Sequence, residues 1–365
     1  MKMTTRLRNA FEGFIGKTIG YGSGGIGALS VQGRAGYKAY LADGDPVKAL
    51  AANESWVWSC IDAVAEAEAS IEIELYRQRA GMQSDEEWES VDQHPSLALL
   101  EDRPNYFQDG HELRYITRVW LELWGNALWQ KVRLYRGGEP IELIPIPWNH
   151  VCPFPDDGSR ITEWRWKPAF GKRAPILAED MIHFRRPNAA NLFVGRSTLS
   201  AVAHAVDLRY FMAVDRLLMF KHGAKTGLTI EASAGATDVQ IDAFYREFQE
   251  QHTGLGRAHI PVVIRAGWKL QKGDPTDKKE LDFINSNEAM QKEILAAWRV
   301  PRAIFGDVQD ANRANMDAAI YAFQKFSIEP RIDSFCRKLR QDYFTDPAWL
   351  EPNSVWQCGH EDFIV

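Results

Sequence analysis

Residues 198–223, TLSAVAHAVDLRYFMAVDRLLMFKHG, read as one amphipathic helix, and the chain on either side takes its meaning from that rod. Leu199, Val202, Val206, Tyr210, Val214 and Leu217 recur on one stripe, with Ser200, His204, Asp207 and Asp215 on another. About 25 residues at 1.5 Å each predict a rod of roughly 37 Å, stopped by Gly223 and Gly227. Upstream, nine of the 13 tryptophans fall between Trp56 and Trp166, which marks that stretch as an aromatic-rich packed body. Asn53 and Ser55 offer caps for a helix through Trp56, Val57, Cys60, Ile61 and Val64, which runs into the alternating Ile71, Ile73, Leu75 of a strand. A second helix is expected over about 109–125, closed by Gly125-Asn126. Strands follow at 128–135, 142–145, 164–167 and 181–184, and prolines 140, 145, 147, 153 and 155 confine them to short or edge positions.

Downstream of the rod lies a small unit. A strand at 228–232 precedes a helix opened by a Thr237-x-x-Gln240 capping box, and a strand pair is expected at 260–265 and 268–271. The helix places Ile241, Phe244, Tyr245 and Phe248 on one face. A returning helix spans about 278–298 and ends at Arg299-Val300-Pro301. After a polar stretch, 306–313, a last long helix runs through Met316, Ile320, Phe323, Ile332, Phe335 and Leu339, with Pro330 expected to kink or restart it. The fold class is therefore α+β.

The chain has 365 residues, enough for two to three domains, and 49 acidic against 43 basic side chains leave it at −6. That balance excludes tight nucleic-acid binding through phosphate neutralisation. Residues 1–40 carry six basic groups and only Glu12 as an acid, so the remaining 325 residues sum to −11. Ten of the 27 glycines lie in the first 44 residues, and residues 1–46 read as a flexible basic arm. Two motif-like strings lie in it. Gly16-Lys17-Thr18 resembles the end of a phosphate loop, but Phe11 stands where the leading glycine belongs; Gly22-Ser23-Gly24-Gly25-Ile26-Gly27 fits G-x-G-x-x-G without a strand before it. A nucleotide-binding enzyme using these strings is the rival reading, and a non-ring structural adaptor a third.

Catalytic signatures are absent: no G-x-S-x-G, no H-E-x-x-H and no His/Cys ligand set, so no catalytic residue, metal or cofactor is expected. His111-Glu112 lacks a second histidine, His183 and His204 read as structural, and Asp156-Asp157 as a solvated turn. The cysteines (Cys60, Cys152, Cys336, Cys358) are far apart, which suits a reducing compartment without a disulfide framework. No run of 18 apolar residues or signal-type h-region is present, so neither membrane partners nor export are expected.

Several local strings stand in a telling order: Asn53 to Tyr76, His94-Pro95, Arg103-Pro104-Asn105, Gly125-Asn126-Ala127, Glu142 to Pro147, Ile182-His183-Phe184, Gly195-Arg196-Ser197, Phe220 to Gly227, Val300-Pro301 with Gly306, Asn312 to Asn315, and Glu329-Pro330. In that order, over about residues 50–340, the chain resembles the portal proteins of tailed double-stranded-DNA phages. Leu128 departs from the family's usual aromatic after Gly-Asn-Ala. The resemblance implies a ring, usually of twelve copies, at one capsid vertex, built in the host bacterial cytoplasm and carried in the virion. Double-stranded DNA would pass through it, and the terminase motor, major capsid or scaffold protein, and a head-completion or adaptor protein would dock on it.

Mapped residue by residue, 47–197 become the wing, 198–223 and 278–300 the stem helices, 224–277 the clip, and 301–317 the tunnel loop. Residues 318–365 become the long helix with a short crown or tail. Arg302, Asp307, Gln309, Asp310, Asn312 and Arg313 would line the DNA tunnel, Lys221 and Lys225 the channel at stem and clip, and Asp242, Arg246, Glu247 and Glu250 the clip's partner surface. The tunnel-loop stretch is mixed in charge, with Arg302 and Arg313 against Asp307, Asp310 and Asp317. A lining of that kind holds DNA weakly and without sequence preference.

Overall fold

The computed structural model describes residues 56–79, 88–156, 160–167, 173–221, 228–231, 235, 237–252, 269–272, 277–306, 313–349 and 354–360. The chain divides into two compact units, Met1–Ala203 with Glu293–Val365, and His204–Lys292.

In the first unit, α1 (Trp56–Ala69) buries Val57, Cys60, Ile61, Val64 and Ala65, the i, i+3, i+4, i+7, i+8 face that its periodicity predicts. Its expected caps at Asn53 and Ser55 lie outside the described residues. Helix α2 (Pro95–Glu101) starts where the His94 ring accepts from the Ser96 amide and Pro95 fills the first turn. Helix α3 (Gly110–Trp124) is capped by the Asp109 carboxylate, which accepts from Glu112 N at 2.7 Å. It stops at Gly125, whose φ of 71° is left-handed.

Among the described residues, three small antiparallel sheets complete this unit. Strands β3 (Asn126–Arg133), β4 (Pro140–Ile146) and β8 (Met181–Arg185) form one, in the order β4-β3-β8. Strands β5 (Val151–Asp156), β6 (Arg160–Trp166) and β7 (Ile176–Leu177) form the second, in chain order. Proline cannot donate to a ladder, and the proline-bearing strands β4 and β5 both sit at sheet edges. The third sheet has the order β11-β1-β2, with β1 (Ile73–Arg79), β2 (Glu89–Ser90) and β11 (Ser354–His360). Trp129 centres the core. Its indole N–H donates to Thr117 Oγ1 at 2.7 Å, and its ring meets Phe184 and Phe335 edge-on at centroid distances of 4.7 and 5.7 Å.

The last long helix is interrupted just before Pro330, where the sequence predicts a kink or restart. It runs as α8 (Arg313–Phe323), a π-helical turn (Gln324–Ile328), α9 (Glu329–Leu339) and a second π-helical turn (Arg340–Phe344). Pro330 sits in the first turn of α9, where its missing N–H is tolerated, and the π turn precedes it. Within the last part of the chain, read as a short crown or tail, residues 354–360 return as β11 and pair with β1 from Ile73↔His360 to Arg79↔Ser354. Without that strand β1 would be a long edge of unpaired amides and carbonyls.

The predicted 25-residue rod is interrupted near its start. Helix α4 (Thr198–Ala201) ends at Val202, which has φ −109° and ψ 13°, and α5 (Ala203–Lys221) begins after it. Leu199 and Val202 are both buried, and a β-branched residue loses little by leaving a helix.

In the second unit, β9 (Leu228–Glu231) pairs antiparallel with β10 (Lys269–Lys272), from Leu228↔Lys272 to Glu231↔Lys269. The strand expected at 260–265 lies outside the described residues. Helix α6 (Asp238–His252) opens with the predicted box, since Gln240 Oε1 accepts from Thr237 N at 3.2 Å and Phe244 is buried. Helix α7 (Asp277–Trp298) runs from this unit into the last residues of the first.

Candidate functional site

The stretch singled out by sequence as a channel loop begins where α7 stops. Arg299 takes a left-handed φ of 59°, the Val300 amide bonds back to Leu295 O, and the Arg299 amide to Ala296 O, both at 3.1 Å. This is the helix-ending turn in which glycine is usual. An arginine backbone there is strained, and its side chain has a definite task. Its guanidinium donates to Phe326 O at 2.9 Å. Phe326 lies four residues before Pro330, so it is the carbonyl that a proline nitrogen cannot serve. Pro301 follows, then a short turn over Arg302–Phe305 ending at Gly306 with φ 75°. Phe305 meets Trp56 of α1 edge-on at 5.9 Å. The chain re-enters the described residues at Arg313, the first residue of α8.

Both ends of this excursion are bound to the first unit through one buried polar chain. Ser327 Oγ donates to Trp298 O at 2.8 Å, and Arg331 donates to Ser327 Oγ at 2.8 Å and to Trp298 O at 3.4 Å. From its other side, Arg331 Nε reaches Glu122 at 3.2 Å. Glu122 is fully buried on α3 and also accepts from Arg186 at 2.7 Å and from the Thr198 hydroxyl. Arg118, one turn earlier, stands 3.6 Å from Glu122 and pairs with the buried Glu68 of α1 at 2.5 Å. Two carboxylates thus face three guanidinium groups. Burial alone would push the Glu122 carboxyl up, but Arg331, Arg186 and Arg118, with the Thr198 hydroxyl, outweigh it and bring it down to about 2. At neutral pH the group is a fixed anion. It cannot act as a general acid, and its role is to hold α3, the 186–198 connection and α9 together.

A second knot gathers two strings, one from the middle and one from the end of the wing sequence. Asn126 Oδ1 accepts from Gly195 N at 2.8 Å and from the His183 ring at 3.0 Å, while its amide donates to Trp124 O at 2.8 Å and Gly195 O at 3.4 Å. Any side chain on Gly195 would lie 1.9 Å from Gly125 O. His183 is stacked on Trp148 and edge-on to Trp164, and burial first, then Lys338 and Arg185, lowers it to about 3. It is therefore neutral, a hydrogen-bond partner and not a proton shuttle. In the same way Asn105 donates to Leu143 O at 3.0 Å, and Pro104 O accepts from Leu143 N at 2.7 Å, joining the Pro-Asn string to β4. Asp346 forms a third tie, pairing with Lys131 at 2.5 Å and with Arg133.

Of the sequence-picked residues, Arg302 is half-buried in the turn before Gly306, and Arg313 opens α8. Asp307, Gln309, Asp310 and Asn312 lie outside the described residues, as does Lys225. Lys221 is the last residue of α5. Asp242 and Arg246 are exposed and one turn apart on α6, which also carries Glu247 and Glu250. Sequence reasoning did not single out Glu68, Arg118, Glu122, Arg186 and Arg331. Arg118 and Glu122 at i, i+4 look like an ordinary surface pair. Only the fold shows them buried. Among the described residues there is no cluster of three or more His, Cys, Asp or Glu side chains able to hold a metal, and no helix long and apolar enough to cross a membrane.

The chain is similar to known proteins in sequence and in fold. A family model described as phage portal protein matches residues 55–355. An uncharacterized protein of Rickettsia bellii (strain RML369-C) is 23% identical over 287 residues, covering 76% of this chain and 71% of that one. Among solved structures, an HK97-family phage portal protein from Corynebacterium diphtheriae superposes with a TM-score of 0.63 at 14% identity, over 89% of this chain and 96% of its own. A chain in the neck of an empty GTA particle superposes with a TM-score of 0.59 at 18% identity, over 86% and 83%.

Proposed function

We propose, from the premise that this chain belongs to the phage portal protein family, that its copies form a closed ring at one capsid vertex of a virion, with a dodecamer as the expected closure. Portal proteins are structural components, and the role read here is structural. The ring serves as the conduit for double-stranded DNA during packaging and ejection. It is also the platform on which the terminase motor, the capsid or scaffold protein and a head-completion or adaptor protein dock. Assembly takes place in the host bacterial cytoplasm.

The observation that carries this reading is the anchored excursion between Trp298 and Ser327. A segment that DNA slides past must itself stay in place, and here both ends are tied through Arg331 to the buried Glu122. Its charge suits passage, because Arg302 and Arg313 stand against Asp307, Asp310 and Asp317. Each phosphate neutralised adds affinity through counterion release, so a strongly basic lining would stall the duplex, whereas a mixed one gives only weak, sequence-independent contacts. In this scheme Gln309, Asp310, Asn312 and Arg313 approach DNA, Lys221 and Lys225 face the channel lower down, and Asp242, Arg246, Glu247 and Glu250 meet a neighbouring subunit or the motor.

Deletion of residues 307–312 tests the reading through the DNA packaged per head, which should fall sharply while rings still form. Wild-type packaging by that deletion would remove the loop from the mechanism. Charge reversal of Arg246 and Glu250 tests the α6 face, and ring assembly and motor docking both left intact by it would exclude that face.

A further inference from the structure

Four cysteines stand far apart in sequence, yet two of them meet in the fold. Cys336 on α9 is 4% exposed, Cys358 in β11 is 9% exposed, and both are free thiols. Their sulfurs converge on one acceptor, the Gly359 carbonyl, at 3.5 Å from Cys336 Sγ and 3.8 Å from Cys358 Sγ. The Cys336 side chain also lies within hydrogen-bonding reach of the Cys358 sulfur, and that contact, ahead of burial, holds the Cys358 thiol well above the ordinary cysteine range. Helix α9 packs on β11, and with both sulfurs within 3.8 Å of one oxygen the two thiols are neighbours across that contact.

We propose that Cys336 and Cys358 are a modification site, an intrachain disulfide that closes on exposure to a small-molecule disulfide such as oxidised glutathione and stays open in a reducing cytosol. One thiol loses its proton and attacks a glutathione sulfur, breaking that S–S bond and releasing one glutathione thiolate. The second thiolate then attacks the mixed disulfide, forms the Cys336–Cys358 bond and releases the second glutathione. Two protein thiols are oxidised, one disulfide is reduced to two thiols, and the two protons end on the released glutathiones.

Burial and a raised thiol pKa make this exchange slow, because the thiolate is the attacking species. It proceeds through openings of β11, the outer strand of its sheet. The bridge ties the ends of a 336–358 loop and so locks onto β1 the strand that completes its sheet. On the portal reading above, a chain made in a reducing cytoplasm and later released outside would be stapled after assembly and not before it.

Peptide mapping of the full folded chain tests the site. The protein is incubated at mildly alkaline pH with oxidised glutathione or with dithiothreitol, then alkylated and cut with trypsin. Trypsin places Cys336 in 332–337 and Cys358 in 341–365, so the bridge joins two separate peptides. The expected result is loss of both alkylated peptides, appearance of the joined pair lacking two hydrogens, and full return on reduction. In the Cys336→Ser variant the joined pair should vanish and Cys358 should carry glutathione instead. The proposal is overturned if the wild-type peptides stay separately alkylated, each carry glutathione, or join to the Cys60 or Cys152 peptides. The wild-type map needs no variant and decides the proposal by itself. The map reads thiols alone, so its failure leaves ring formation to be judged separately.

Discussion

Replacing Glu122 by Gln keeps the volume of the side chain and removes its charge from among three guanidinium groups. The carboxyl is fully buried, with Arg186 at 2.7 Å, Arg331 at 3.2 Å and Arg118 at 3.6 Å. Its pKa falls from 4.5 to about 2 on folding. A carboxylate depressed in the folded state contributes stability that is complete above the unfolded pKa and is lost as pH falls through the folded one. The window is therefore pH 4.5 down to about 2. At 1.36 kcal/mol per unit the shift corresponds to about 3 kcal/mol. Breaking a buried ion pair by removing one partner costs about 3–5 kcal/mol, which agrees.

For a unit of this size the loss lowers the melting temperature by on the order of 10 °C. The assay is thermal unfolding followed by the fluorescence of the buried Trp129, Trp148 and Trp164, repeated across acid pH. Twelve of the 13 tryptophans belong to the first unit and Trp268 alone to the other, so the signal is dominated by the first unit's transition. Glu122→Gln should melt earlier at pH 7 and show a flatter acid profile than the parent. A melting point within about 2 °C of the parent, together with the same acid profile, would refute the role assigned to the cluster.

The glycines of the Asn126 knot give a graded test. Gly195→Ala puts a methyl 1.9 Å from Gly125 O, and Gly125→Ala adds left-handed strain to a 2.5 Å clash with the Arg196 carbonyl carbon, so each should destabilise by about 2 kcal/mol or more. Gly137→Ala has a φ of 79° but open space, and should cost only about 1 kcal/mol; equal effects at all three positions in urea unfolding would contradict the packing argument. Duplex DNA should bind the assembled protein weakly and lose affinity steeply with added salt, as a titration at rising ionic strength would show. Tight binding at physiological salt would instead point to a basic grip that the −11 body does not provide.

Periodic and punctuated stretches were legible in the sequence. The α1 face, the Asp109 and Gly125 ends of α3, the edge placement of Pro145 and Pro153, and the Thr237–Gln240 box all follow from local rules, and the structure contains each. What local rules miss is action at a distance. Arg331 and Glu122 are 209 residues apart, and nothing about either position marks it as buried. The strand at 354–360 forms because β1 offers an edge, a fact that belongs to β1 and not to the C-terminal stretch itself. Val202 breaks a helix whose apolar stripe continues through it, so periodicity runs past the interruption. The His94-Pro95, Pro104-Asn105, Gly125-Asn126 and Gly195 strings are commonplace turn residues taken singly. Their meaning came from their order, and the structure supplies its physical reason: each holds a backbone group that the fold leaves without a ladder partner.

The central claim is a closed ring of this chain with a passage through its middle. Native mass measurement combined with negative-stain imaging of the purified full-length protein tests it most directly. The account predicts a multiple of 41.5 kDa, twelve on the family expectation, and end-on views with a central hole. A stable 41.5 kDa monomer under conditions where the fold is intact would contradict it.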